Sequence, residues 1–256
     1  MKKRKQLSQD PEKFRTLIKI GFSMREIAKI DGVSPMAVSR RAKKYGIEPK
    51  YIFRAKHCVL SPGLRELLDG LLLGGGSLVS HHPKKKTYFF TQASTKLPYI
   101  KWIAEQLNKS GIEPQGKIVP MTENRFHQRS QYWRYTSWAY YELTEIWFRW
   151  YRKGKKEVPP DLKLTPTIAL LWYLRGGYLG KGNKIRFAVT RYSSQSFQRL
   201  RQELRRIGCQ SRLYLHSKKV IELPSVDSKR FLDYIGPCPK KLQKVLGYKW
   251  RIDKKR

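Results

Sequence analysis

The sequence is poor in acidic residues, in cysteine and in long apolar runs. Only 19 of its 256 residues are Asp or Glu, against 55 Lys and Arg, and the formal net charge is +36. A globular protein with such an excess of one sign repels itself unless a counter-charged ligand binds it, so we expect a polyanionic partner. No apolar run reaches the length of about 18 residues that a membrane-spanning helix needs, and we expect no membrane partner.

The three cysteines are Cys58, Cys209 and Cys238, which are far apart and form no CxxC pair. An odd, scattered set fits neither a disulfide framework nor a zinc ribbon, and the histidines show no metal-ligand spacing. We therefore expect no metal or other cofactor, and a reducing compartment. The basic N-terminus is followed by no apolar signal segment, so the expected location is the cytoplasm, in association with the nucleoid.

Residues 10–48 have the pattern of three short helices. Asp10-Pro11, Ser23 and Ser34-Pro35 each provide a capping side chain, twice followed by proline at the first helical position. Gly32 predicts a turn between the second helix and a basic third helix. This order is typical of a helix-turn-helix DNA-binding unit.

The third of these helices is expected to enter a DNA major groove, with its small and polar side chains near base edges and its last basic ones near phosphates. The residues concerned are Ser34, Met36, Ala37, Ser39, Arg40, Arg41, Lys43 and Lys44. A small helical cap that does not bind DNA is the alternative interpretation. We expect this unit, with its basic arm, to span residues 1–50 and a linker to span 51–60.

The rest of the chain has the pattern of one unit that occurs twice. In each copy a buried helix ends in a glycine cluster and is followed by a strand, an amphipathic helix, two strands and a final helix. The corresponding glycines, Gly76 and Gly177, are 101 residues apart, which is about the length of one unit. This predicts a pseudo-two-fold α+β domain with repeats over 61–158 and 159–256.

Motifs lie at and between these buried helices. Residues 68–78 read LDGLLLGGGSL, residues 164–166 read LTP, and residues 172–177 read WYLRGG. With KKEVP at 155–159, these segments resemble the LAGLIDADG homing endonucleases, in the branch that reads GLLLGDGSL and then LTP and YWFMDDG. The resemblance covers about residues 57–250. It implies a monomer with two αββαββα units whose antiparallel sheets straddle the DNA major groove.

The resemblance also implies that the two motif helices pack side by side across the pseudo-two-fold axis. Small residues are needed where two helix backbones approach closely. The glycines expected at that contact are Gly70, Gly74, Gly76 and Gly177.

The last acid of each motif binds, in that family, the divalent ions that activate water for phosphodiester cleavage. The matching positions here are Gly75 and Gly176, which offer a cation no side-chain oxygen, and Arg175 stands at the family's penultimate acid. Asp69 is six residues before Gly75 and so lies about 9 Å up the helix, while Asp161 lies outside the motif helix. We therefore expect neither a metal site nor cleavage.

Other parts of the family's DNA-binding surface have counterparts here. The resemblance implies a lysine near the central phosphates in each half, matched by Lys156 and, less directly, by Lys244. Further polar and basic side chains lie on or beside the predicted strands: Gln92, Gln128, Arg129, Gln131, Arg134, Arg186, Arg191, Arg212 and Lys218. Every second side chain of a strand would face the groove, and which ones do so depends on the strand register.

These observations favour a sequence-specific protein that binds double-stranded DNA without cutting it. It would regulate transcription or mark a site for a mobile element, with catalysis supplied by a partner protein. Two alternatives stay open: an active homing endonuclease that holds Mg²⁺ through other ligands, and an RNA maturase that binds a structured intron. A protein that only compacts DNA would show no sequence preference.

Overall fold

The structure is a computed structural model that describes residues 6–19, 22–47, 55–80, 87–125, 128–190, 192–214 and 219–252. The chain forms two compact units, Met1–Arg54 and Ala55–Arg256. No helix within the described ranges is long and apolar enough to cross a membrane.

The N-terminal unit contains three helices: α1 (Pro11–Lys19), α2 (Met24–Asp31) and α3 (Pro35–Lys44). The predicted caps are confirmed, because Asp10, Ser23 and Ser34 each accept a hydrogen bond from a backbone N–H in the first turn of their helix. Gly32 has φ +64°, a left-handed conformation that favours glycine and allows the tight turn between α2 and α3.

A small apolar core and one buried carboxylate hold this unit together. The core consists of Phe14, Ile18, Ile27, Ala28, Val38, Ala42 and Ile47. The carboxylate of Asp31 accepts hydrogen bonds from the backbone N–H groups of Leu7 at 2.8 Å and Ser8 at 2.9 Å. Arg41 donates from Nη1 to Ser8 Oγ at 2.5 Å and lies 3.7 Å from Asp31. The segment before α1 is thus fixed to the helices by polar contacts.

The second unit contains two repeats with the same strand order. The first repeat comprises α4 (Pro62–Leu73), β1 (Ser77–Val79), β2 (Tyr88–Ser94), α5 (Leu97–Lys109), β3 (Val119–Arg125), β4 (Gln128–Tyr140) and α6 (Leu143–Trp150). A hairpin follows, formed by β5 (Tyr151–Arg152) and β6 (Lys155–Lys156). The second repeat comprises α7 (Pro166–Gly176), β7 (Gly177–Gly180), β8 (Lys184–Ala188), α8 (Ser194–Arg206), β9 (Arg212–Tyr214), β10 (Val220–Leu223) and α9 (Ser225–Ile235), before the short α10 (Gln243–Leu246).

Each repeat forms a four-stranded antiparallel sheet, in the orders β1-β2-β4-β3 and β7-β8-β10-β9. The predicted duplicated α+β architecture is confirmed. Both motif helices, α4 and α7, begin in the same way, since Ser61 and Thr165 cap them and a proline takes the first helical position.

Residues 55–60, which the sequence predicts as part of the linker, belong to the second unit. Lys56 N donates to Ala139 O at 2.8 Å and Tyr141 N donates to Lys56 O at 3.3 Å, so this segment pairs with the end of β4. Backbone groups beside a strand need partners, and the strand end supplies them. Residues 51–54 of the expected linker lie outside the described residues.

The motif helices α4 and α7 pack side by side. A Cβ on Gly70 would lie 2.6 Å from Leu171 Cδ1 and 3.0 Å from Ile168 Cα, and a Cβ on Gly74 would lie 2.8 Å from Leu171 O. These two glycines therefore lie at the helix contact, as predicted. The contact is asymmetric, because the first helix supplies the glycines and the second supplies the leucine that fits against them.

Gly76 and Gly177 do not lie at that contact, contrary to expectation. They follow the motif helices and are covered by aromatic rings of their own repeats: Phe90 beside Gly76, and Tyr173 and Phe187 beside Gly177. Their missing side chains therefore make room for the sheets rather than for the helix pair.

Candidate nucleic-acid interface

The C-terminal ends of the two motif helices form the centre of the second unit's candidate site. We call residues 74–76 and 175–177 the foot of the helix pair. Gly75 has φ +99°, where any other residue is strained, whereas Gly176 is the last residue of α7 and has Trp172 Cδ1 at 3.4 Å from a Cβ built on it. The two glycines at the motif-acid positions thus differ in backbone conformation.

Arg175 passes beside Gly75. A Cβ on Gly75 would lie 3.9 Å from Arg175 Cγ. Arg175 is exposed, and its guanidinium forms no hydrogen bond or ion pair with another residue in the part of the chain that the structure describes. The side chain of a basic residue, at its Cγ, therefore lies beside the position of the first motif's acid.

Two lysines donate hydrogen bonds to backbone carbonyl oxygens at the C-terminal ends of the motif helices. Lys156 on β6 donates from Nζ to Leu72 O at 3.0 Å and also to Gly76 O. Lys249 donates from Nζ to the carbonyl oxygens of Tyr173 at 3.0 Å, Leu174 at 2.9 Å and Gly177 at 2.5 Å. The last carbonyls of a helix lack intrahelical partners and carry the negative end of its dipole, so an ammonium group binds well there.

Lys249, and not Lys244, is the counterpart of Lys156 in the second repeat. Lys244 is exposed on α10, whereas Lys249 is only 5% exposed. Sequence reasoning missed Lys249 because the segments that lead to the two lysines differ in length and share no motif. Burial, followed by the positive charge of Arg175, lowers the pKa of Lys249 to about 8.

The acids near the foot in the sequence are engaged elsewhere. Asp69 Oδ1 accepts hydrogen bonds from Arg149 Nη1 at 2.5 Å and Trp150 Nε1 at 2.7 Å, and Asp161 pairs with Arg149 Nε at 2.8 Å. Among the described residues, no group of three His, Cys, Asp or Glu side chains could hold a metal ion. A hard divalent cation needs oxygen ligands, and the one side chain of the foot is the cationic Arg175 beside five glycines, so the foot does not fit such an ion.

The second sheet presents two of the predicted arginines on one open face. Ile185 and Phe187 on β8 are fully buried, so Arg186 between them points to the opposite side of the sheet. Arg212 on β9 is exposed, and the register places both arginines opposite Glu222 on β10. Arg191 and Lys218 lie outside the described residues.

The first sheet separates its predicted residues between two faces. Gln92 is 2% exposed and donates from Nε2 to the hydroxyl of Tyr99 at 3.0 Å, so it belongs to the core and not to a groove surface. Arg134 is exposed, with its guanidinium 5.7 Å from the ring centroid of Tyr132. The other predicted residues here all lie on β4: Gln131, which is exposed, and Gln128 and Arg129, whose side chains are outside the described set.

The third helix of the N-terminal unit exposes most of its predicted side chains. Exposed residues of α3 are Met36, Ser39, Arg40, Lys43 and Lys44, and its cap Ser34 is also exposed. The hydroxyl of Ser34 accepts the N–H of Ala37, and the guanidinium of Arg41 is engaged by Ser8 and Gln6. Arg41 therefore has a structural role that its position in the sequence did not reveal.

Two αββαββα repeats joined through a pair of motif helices define a homing-endonuclease-like, DNA-binding fold. The LAGLIDADG DNA endonuclease family model matches residues 65–231. The chain belongs to this family.

The chain is also similar to individual proteins. The chain is 24% identical over 191 residues to the uncharacterized protein MJ1098 of Methanocaldococcus jannaschii, covering 72% of this chain and 73% of that protein. It is 26% identical over 133 residues to the cytochrome b mRNA maturase bI2 of Debaryomyces hansenii, covering 49% of this chain and 50% of the maturase. The homing endonuclease I-WcaI, solved bound to its DNA recognition sequence, superposes with a TM-score of 0.64 at 16% identity, covering 73% of this chain and 88% of I-WcaI.

Proposed function

We propose that this protein binds a specific double-stranded DNA site and does not cleave it. The observation that carries the proposal is the foot of the helix pair, with glycines at both motif-acid positions and Arg175 beside Gly75. DNA cleavage at this place would need oxygen ligands for a divalent ion that activates water. A guanidinium instead binds phosphate oxygens directly, so this foot suits an intact DNA backbone held without metal.

The ends of the motif helices support this proposal. Carbonyl oxygens that point out of a helix end repel a phosphate. Here the ammonium groups of Lys156 and Lys249 bind three of these carbonyl oxygens, those of Leu72, Tyr173 and Leu174, and the carbonyl oxygens of Gly76 and Gly177 just after the helices. The centre of the protein therefore presents positive charge to a polyanion without any bound ion, in keeping with the net charge of +36.

We also propose that the N-terminal unit is a helix-turn-helix that binds a DNA segment of its own. Its α3 has the length and the capped start of a recognition helix, and Arg40, Lys43 and Lys44 are exposed along it. Such a helix reads base edges while basic side chains hold the phosphates. A protein with two DNA-reading parts and no cleavage suits a regulatory role or the marking of a target site for a partner's chemistry.

A second candidate function is RNA splicing, which the relationship to the cytochrome b mRNA maturase favours. The same basic surface would bind RNA phosphates, so charge does not separate the two functions. The preferred nucleic acid separates the two functions, because side chains can read the major groove of duplex DNA but not that of duplex RNA.

The experiment is a selection of sites from a randomised duplex library with the purified full chain at moderate salt, in parallel with Mg²⁺ and with EDTA. We expect one long consensus with the same affinity in both conditions. A structured group I or group II intron RNA of equal length serves as competitor. Binding that needs Mg²⁺ contradicts the metal-free foot, and displacement by the RNA at equal concentration favours the maturase function.

A further inference from the structure

Four side chains form a row across the open face of the second sheet. The register pairs Tyr178 on β7 with Arg186 on β8, Arg186 with Glu222 on β10, and Glu222 with Arg212 on β9. The row crosses all four strands. We call these four residues the cross-strand row.

Glu222 is the fixed point of this row. Its side chain is only 3% exposed, although it lies on the face away from the core. Oε2 accepts a hydrogen bond from Arg186 Nε at 2.6 Å, and Oε1 accepts one from the Tyr214 hydroxyl at 3.3 Å and lies 3.5 Å from Lys184 Nζ. Burial alone would raise the pKa of Glu222, but the hydrogen bond and charge of Arg186 and the charge of Lys184 lower it below its ordinary value.

A buried carboxylate at this place does not help a protein to attract phosphate. It reduces the positive charge of a surface that is otherwise basic. Its effect is geometric, because it fixes Arg186 through Nε, while Tyr178 lies directly opposite Arg186 on β7. The Arg186 side chain is 37% exposed, and its bond to Glu222 uses only Nε, so N–H donors on Nη1 and Nη2 remain for a ligand.

We infer that Glu222 positions Arg186 to read a guanine in the major groove, and that this makes the second repeat a reader of a G·C pair. Two N–H groups of an arginine match the O6 and N7 acceptors of guanine. An arginine that is already held in place loses less side-chain entropy when it binds. The inference rests on the proposed function, since it requires duplex DNA on the open face of this sheet.

The corresponding row of the first repeat has no carboxylate paired with an arginine on a neighbouring strand. The register there pairs Ser77 with Thr91 and Thr91 with Thr136. These side chains are neutral, and the Thr91 hydroxyl donates to Tyr135 O at 3.0 Å. The two repeats therefore differ in the chemistry of this row, and the G·C preference argued from it concerns the half-site of the second repeat.

The test repeats the duplex selection with three full-length variants: Glu222→Gln, Arg186→Lys and, as the control, Arg134→Lys on the first sheet. We expect Glu222→Gln to lower the preference for one G·C pair roughly 10-fold and to raise the affinity for random DNA, because a negative charge is lost. Arg186→Lys keeps the charge and the ion pair but not the bidentate fork, so it should lose the same preference while the fold is retained. Arg134→Lys should leave that position unchanged.

The outcomes separate the two proposals. If the wild-type chain selects a consensus and both second-repeat variants keep the full preference for every G·C pair, the inference about Glu222 and Arg186 is wrong. If the wild-type chain selects no consensus, the proposed function itself fails. Thermal melting of each variant distinguishes an unfolded protein from one with altered specificity, and Arg186→Lys decides the matter if Glu222→Gln does not fold.

Discussion

Lys156 and Lys249 occupy equivalent positions in the two repeats, each with its ammonium group against the C-terminal carbonyl oxygens of one motif helix. Lys156 approaches from a hairpin and Lys249 from the C-terminal turns of the chain. Two unrelated segments thus supply the same charge at the same place. The foot of the helix pair is therefore built around fixed cations.

Removal of Lys249 should destabilise the protein. Lys249→Met leaves three buried carbonyl oxygens without their donor, which we expect to cost about 2–4 kcal/mol of the free energy of unfolding. Lys244→Met, on the exposed face of α10, is the matched control and should stay within about 0.5 kcal/mol of the wild type. Urea denaturation measures both. Equal midpoints for the two variants would show that the Lys249 contacts do not stabilise the fold.

The lowered pKa of Lys249 predicts a pH dependence of the stability. The pKa is about 8 in the folded protein against 10.5 in the unfolded chain. Between these values the unfolded chain binds more protons at Lys249, so this residue's contribution to stability is present above pH 10.5 and is lost as the pH falls through 8. The wild type should therefore gain up to about 3 kcal/mol relative to Lys249→Met between pH 7.5 and pH 10.5.

Other groups that titrate in this pH range contribute equally to the free energy of unfolding of both proteins, so their contributions cancel in the difference between wild type and Lys249→Met. It is obtained from urea denaturation of both proteins at each pH. A difference that is flat, or that falls with rising pH, would mean that Lys249 has an ordinary pKa in the folded protein.

The two glycines of the foot should respond differently to the same substitution. Gly75→Ala forces a side chain onto a residue with φ +99° and should destabilise the protein by about 1–2 kcal/mol. Gly176→Ala keeps the conformation of α7 and meets only the Trp172 ring, so we expect a change of less than about 1 kcal/mol. Thermal melting compares the two variants directly. A larger loss for Gly176→Ala would contradict the assigned backbone conformations.

Arg175 should bind phosphate and not read sequence. Arg175→Gln is expected to weaken binding to all duplexes alike and to reduce the slope of log K against log salt by about 0.9. Its effect thus differs from that of Arg186→Lys, which keeps the charge and changes the preferred base. Fluorescence anisotropy titrations at several salt concentrations measure the slope. An unchanged slope would place Arg175 away from the DNA.

Local sequence signals predicted the elements of this fold well. The caps at Ser23 and Ser34, the duplicated order of helices and strands, and the contact made by Gly70 and Gly74 all follow from short patterns with a direct physical cause. Each such pattern involves residues that are neighbours along the chain or on one helix face, so no knowledge of the tertiary arrangement is needed.

The site residues depend on contacts that the sequence does not contain. Gln92 was expected on the groove surface because a strand alternates its faces, but only the register shows which face holds it. Lys249 and Glu222 gain their roles from partners 72 and 36 residues away. Such separations along the chain vary with loop length, so they cannot be predicted from a short motif. The motif therefore identifies the foot, but not the distant side chains that contact it.

Cleavage is tested with the selected site in a supercoiled plasmid, incubated with excess purified protein in Mg²⁺, in Mn²⁺ and in EDTA. We expect the site to be bound in all three conditions and the plasmid to remain supercoiled, because the foot has glycines and an arginine where a metal ion needs carboxylates. Nicked or linear plasmid that forms with Mg²⁺ or Mn²⁺ and is absent with EDTA would show that the protein cleaves DNA.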